Sequence, residues 1–127
     1  MSNPSISVIS YINDKITATK QDISSTELSI EFDKEEILKC KKRQKKIGEM
    51  IRSLFSNWGV ERFEDCSWTQ KDQISKLMRQ SSNLGWTITS LNNGIYGKYL
   101  NIFNSCFDLL DYNNQLGLAK HFENNLT

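Results

Sequence analysis

The sequence predicts a mainly α fold, a helical bundle or coiled-coil-like set of helices, completed by a C-terminal β-hairpin. Three observations carry that expectation. Isoleucines recur every seven residues at Ile9, Ile16, Ile23, Ile30 and Ile37, the spacing of a helix face that seeks another helix. The only proline is Pro4, so from Ser5 onward no proline ends a helix. Asn93-Gly94 stands between two runs rich in aromatic and branched residues, 86–92 and 95–102. That dipeptide suits a type I′ hairpin turn, because both positions tolerate positive φ.

Taken in order, the first element is a helix over 5–22. It is crowded with β-branched residues and serines, so it needs a tertiary partner to persist. An irregular or extended join follows. Leu28, Ile30 and Phe32 alternate with polar residues as in a short strand, and Ser24, Ser25 and Thr26 compete for backbone hydrogen bonds. Asp33, three residues before Glu36, reads as the N-cap of a second helix over 34–57. The seven-residue series is interrupted at Gln44 and resumes at Ile51 and Trp58. Its companion positions are Ile12, Thr19, Thr26, Asp33, Cys40, Ile47 and Leu54, apolar at both ends and polar in the middle.

Glu35 and Lys39 make a favourable i,i+4 pair, and Gly59 is a stop signal for the second helix. A loop carrying Phe63, Cys66 and Trp68 leads to Ser67 or Thr69 as the cap of a helix over 70–82, whose inner side is Ile74, Leu77 and Met78. Gly85 ends that helix. The hairpin then sets Ile88 opposite Tyr99 and Leu91 opposite Tyr96. Two short helices close the chain, 105–112 and 115–125, separated by Asn113-Asn114. The whole, 1–127, reads as one domain with a helical seam region at 5–57 and a helix-and-hairpin region at 67–127.

Composition bounds the function classes. The chain has 127 residues, 38% hydrophobic, 24% charged, with a net charge of +1. That balance supplies no long-range attraction for nucleic acid or an anionic membrane. No apolar run approaches a membrane span, and the N-terminus lacks the blocks of a cleavable signal. Cys40, Cys66 and Cys106 are odd in number and far apart, as expected of free thiols in a reducing compartment. The expected origin is therefore cytoplasmic, with any secretion proceeding without a cleavable signal.

Reactive groups are sparse. His121 is the single histidine and has no second ligand at metal-binding spacing. Cys66 follows Glu64 and Asp65, and neighbouring anions oppose thiolate formation. Cys40 and Cys106 read as small packing residues. Gly94 and Gly97 do not complete a dinucleotide loop. The sequence therefore predicts no enzyme, no cofactor and no metal. Lys39, Lys41, Lys42, Arg43, Lys45 and Lys46 form a basic cluster on the second helix. A nucleic-acid patch is the sharp reading. The acids at 33, 35 and 36 and the near-neutral total favour a solvated helix face.

Several pieces follow one another in a suggestive order: 69–77, then Leu84-Gly85-Trp86, then Asn92-Asn93-Gly94-Ile95-Tyr96, then 99–102, then 106–111. This succession of capped helix, glycine, hairpin and short helix resembles a region of the needle-tip proteins of type III secretion systems. The helix over 34–57 is similar to the one that leads into that region. The resemblance implies a virulence-associated, non-enzymatic protein that binds a secretion-apparatus subunit. It also implies a truncated or minimal relative, since the family's long C-terminal coiled-coil helix, which docks on the needle, has no counterpart before Thr127.

The expected partner-binding residues are Ile9, Ile16, Ile37 and Ile51 on the helix seam, and Trp86, Tyr96 and Tyr99 on the hairpin. The seam also fits an intramolecular core, which is favoured over a homo-oligomer. A second class of function is a small inhibitor or immunity-type protein that binds a toxin or host enzyme. A third is a nucleic-acid-binding regulator working through 39–46.

Overall fold

The computed structural model describes the backbone of residues 4–126 and the side chains of 7–125. Two long helices make up almost all of it: α1, Pro4–Trp58, and α2, Trp68–Leu126. A nine-residue link containing a 3₁₀ turn, Phe63–Asp65, joins them. The fold is mainly α and contains a helical hairpin, and no strand occurs among the described residues.

The β-hairpin expected at 86–102 is therefore helix. A type I′ turn needs positive φ at both central residues, and among the described residues only Gly59 has positive φ. The alternation that suggested strands is one reading of a pattern that also has helical spacing. Leu84, Ile88, Leu91 and Ile95 fall at intervals of four, three and four, and all four are buried or half-buried. Thr87 and Thr89 donate their hydroxyls back to the carbonyls of Asn83 and Gly85 at 3.1 Å, so these branched residues are satisfied inside the helix. The stop at Gly85 and the break at Asn113-Asn114 are absent for the same reason: a long seam outweighs a few residues of poor helix propensity.

The join expected between 22 and 34 is also helix. Leu28 and Phe32 are i,i+4 neighbours on the exposed side, while Ile30 between them faces inward and is only 2% exposed. Their alternation therefore comes from two helix faces. Thr19 and Thr26 donate to the carbonyls of Lys15 and Asp22 at 2.8 Å. Asp33 does not cap a helix. It lies in the interior of α1, buried on the seam, and it is not without a partner.

The end of α1 and the start of α2 follow local sequence closely. Gly59 adopts φ +67°, its N–H donates to Ser56 O at 3.2 Å, and the Val60 N–H reaches Phe55 O at 3.1 Å. This is a Schellman stop, which satisfies carbonyls that the ending helix leaves without partners. At the other side of the link, Ser67 and Gln70 form a reciprocal capping box. The Gln70 N–H donates to Ser67 Oγ at 3.2 Å, and the Ser67 N–H donates to Gln70 Oε1 at 2.8 Å.

The chain divides into two compact units. The unit Phe32–Ile95 is the helical hairpin, with Ile37, Cys40 and Ile47 of α1 and Ile74, Leu77 and Ile95 of α2 buried. Its seam is not wholly apolar. Gln44, at the position that interrupts the isoleucine series, donates to Ser81 O at 2.9 Å. Gly85 lies beside that amide, and a Cβ there would sit 3.4 Å from Gln44 Nε2. A polar seam residue with one specific acceptor favours a single register of the helix pair. Cys66 is buried at the hairpin end, with its Sγ 3.7 Å from Arg62 O.

The other unit combines Met1–Glu31 of α1 with Tyr96–Thr127 of α2. Ile12, Ile16 and Ile30 are buried, and the α2 residues on the same seam are half-buried: Ile102, Ser105, Leu109, Tyr112, Leu116 and Ala119. Lys98 also lies on this seam and donates from Nζ to Ser29 Oγ at 2.6 Å.

Candidate protein-docking face

The sequence-predicted site residues separate into two groups. Ile16 and Ile37 are buried within the chain, and Ile9 and Ile51 are half-buried. Ile9 and Ile16 serve the seam of one unit, Ile37 and Ile51 that of the other. Trp86, Tyr96 and Tyr99 are exposed, Trp86 to 74% and Tyr96 to 68%. Tyr99 borders a shallow groove with Leu28 and Ile30, about 600 Å³ in volume.

Tyr96 belongs to a larger feature that the hairpin reading concealed. Tyr96, Leu100, Phe103, Phe107 and Leu110 follow one another at intervals of four, three, four and three, and every one is exposed. At about 100° per residue they form a stripe lying roughly 170° around α2 from the buried seam. The second half of α2 is thus apolar on two faces. The inner face packs on α1 within its own unit, and the outer face meets solvent. Phe103 and Phe107 pack edge to face, with centroids 4.9 Å apart and planes at 90°. The outer stripe was legible as 3–4 spacing in the sequence. Dividing it between a strand and a short helix hid Leu100, Phe103, Phe107 and Leu110.

Charge is scarce along this segment. Between Lys98 and Lys120 the only charged residues are Asp108 and Asp111. Exposed aromatics with few charges have the composition of the centre of a protein–protein interface. A solvated helix surface is normally far more charged.

The groups that would carry chemistry are scattered. Cys40 and Cys66 are buried, whereas Cys106 is exposed and does not serve the packing role expected of it. His121 is exposed, and Asn125 Nδ2 donates to its carbonyl at 2.9 Å. Among the described residues no three His, Cys, Asp or Glu side chains gather at a point that could hold a metal ion. Among them, too, no helix is long and apolar enough to cross a membrane.

No protein-family model, curated protein or solved structure matches the chain. The segment 92–96, expected as the hairpin among the pieces that resemble needle-tip proteins, is continuous helix.

Proposed function

We propose that this protein is a non-enzymatic interaction module that presents the outer face of α2 to another protein. The observation that carries this reading is the exposed stripe of Tyr96, Leu100, Phe103, Phe107 and Leu110 on a helix whose opposite face is already occupied. Apolar patches of this kind are costly to leave in water and mark interaction sites. A rigid helix offering anchors at 3–4 spacing is a common way to bind a protein groove or a second helix. Either class of protein partner weighed from the sequence, a secretion-apparatus subunit or a toxin, would meet the chain there.

The test is a photo-reactive amino acid placed at Phe107 in the full chain inside cells, compared with the same group at Lys45 on exposed α1 surface. Covalent adducts to protein are expected from position 107 and not from 45. Equal yields, or none at 107, would reject the reading.

A second reading, contact with nucleic acid, has one observation in its favour. Lys39, Lys41, Lys42, Arg43, Lys45 and Lys46 are all exposed, and the unit that contains them holds twelve Lys and Arg against eight Asp and Glu. A gel shift that weakens steeply with salt would support it. Unchanged migration at low salt would remove it.

A further inference from the structure

The outer stripe of α2 has a symmetry that narrows the choice of partner. Counted from Phe103, apolar side chains stand at three, four and seven residues on both sides. Toward the N-terminus these are Leu100, Tyr99 and Tyr96. Toward the C-terminus they are Cys106, Phe107 and Leu110. All are exposed. The sequence is bounded equally on both sides, by Asn92-Asn93 and by Asn113-Asn114, each pair ten and eleven residues from Phe103.

A pattern that reads the same in both directions along a helix matches an antiparallel copy of itself. This is the requirement for an isologous two-fold interface. We infer that the face is covered by a second copy of this chain, with two α2 helices crossing antiparallel at Phe103. The inference rests on the docking role proposed above and names the partner for it.

In that register Phe103 meets its own copy, Phe107 meets Tyr99 of the second copy, and Leu110 meets Tyr96. Asparagines meet asparagines at the ends, where the amides can both donate and accept. Charge fits as well. Asp108 lies five residues from the centre, so the two copies of Asp108 are about 15 Å apart along the axis. That exceeds the Debye length of about 8 Å at physiological salt. Centring the pair on Phe107 instead would bring the copies of Asp108 close together and set Leu100 against Asn114.

The area is in the right range. Six aromatic or leucine side chains, each about half exposed, offer on the order of 600 Å² per copy before the asparagine rim is added. A stable interface buries about 800 Å² per partner.

Sedimentation velocity on the purified full chain, across a concentration series, tests this. A reversible dimer is expected. Phe107→Glu should raise its dissociation constant by about tenfold or more, with the helical circular dichroism unchanged because Phe107 is exposed. Lys45→Glu should leave it unaltered. Register is tested by mixing Tyr96→Cys and Leu110→Cys chains, each also carrying Cys106→Ser. Oxidation should link the mixture, and neither chain alone, since like positions lie fourteen residues apart.

A monomer at all concentrations overturns the inference. So does a dimer indifferent to Phe107→Glu, or linking of either cysteine chain alone. A monomer that still yields adducts to a different protein from position 107 rejects the second copy as partner and leaves the docking role standing. No adduct at 107 together with a monomer rejects both.

Discussion

Replacing Gly94 with alanine separates the helical architecture from a hairpin by the sign of its effect. Gly94 lies inside α2 with negative φ, and a Cβ built there meets nothing within 4 Å. The substitution therefore carries no steric cost. What remains is the backbone term: glycine inside a helix is less favourable than alanine by about 0.8–1 kcal/mol, because it has more unfolded-state freedom to lose. Gly94→Ala should thus stabilise the protein by about 1 kcal/mol. For a chain of this length that is a rise in Tm of roughly 3–5 °C.

Urea or thermal unfolding followed by circular dichroism at 222 nm measures the change directly. In a type I′ turn the same position would need positive φ, and alanine there would destabilise by a similar or larger amount. A lowered Tm, or a loss of helical signal in the folded variant, would rule out a helix at Gly94. Gly94 also lies away from the outer stripe of α2, so the variant should associate like the parent protein.

Ile30→Ala should cost about 3 kcal/mol, because the side chain is buried at 2% exposure and its removal leaves a cavity. Leu28→Ala, two residues away on the exposed side, should change stability by less than about 0.5 kcal/mol, and parallel denaturant titrations compare the two. Gly59→Ala should destabilise by about 1 kcal/mol, since φ +67° places an alanine Cβ in the left-handed region, and differential scanning calorimetry reads the loss. Gln44→Ala should cost about 1 kcal/mol by removing the hydrogen bond to Ser81 O. Gln44→Leu should restore most of that stability by apolar seam packing, and comparing the two by chemical denaturation separates hydrogen bond from burial.

Local sequence was a good guide at the link between the helices and a poor one at Asp33, Gly85, Asn93-Gly94 and Asn113-Asn114, whose cap, stop and turn signals lie inside continuous helix. Gly59 ended α1 and the Ser67–Gln70 pair opened α2, because a positive φ and a reciprocal cap need only near neighbours. The seven-residue series was also readable, and Ile12, Ile16, Ile30, Ile37, Cys40 and Ile47 are buried along it. The outer stripe of α2 was present in the spacing too, but it shows only when 96–110 is read as one element.

Local residues were enough to end α1 at Gly59 and to open α2 at Ser67, and residue spacing was enough to mark the apolar face of α1. The tertiary structure alone decided that 24–33 and 86–102 are helix. Threonines, aromatics and glycines there favour strand or turn when isolated, each by a fraction of a kcal/mol. Long seams pack every third and fourth residue against a facing helix, and burial over many turns outweighs those preferences. The same packing placed Ile16 and Ile37 inside the chain and left Tyr96, Phe103 and Phe107 outside, a division that depends on which side of each helix meets its neighbour.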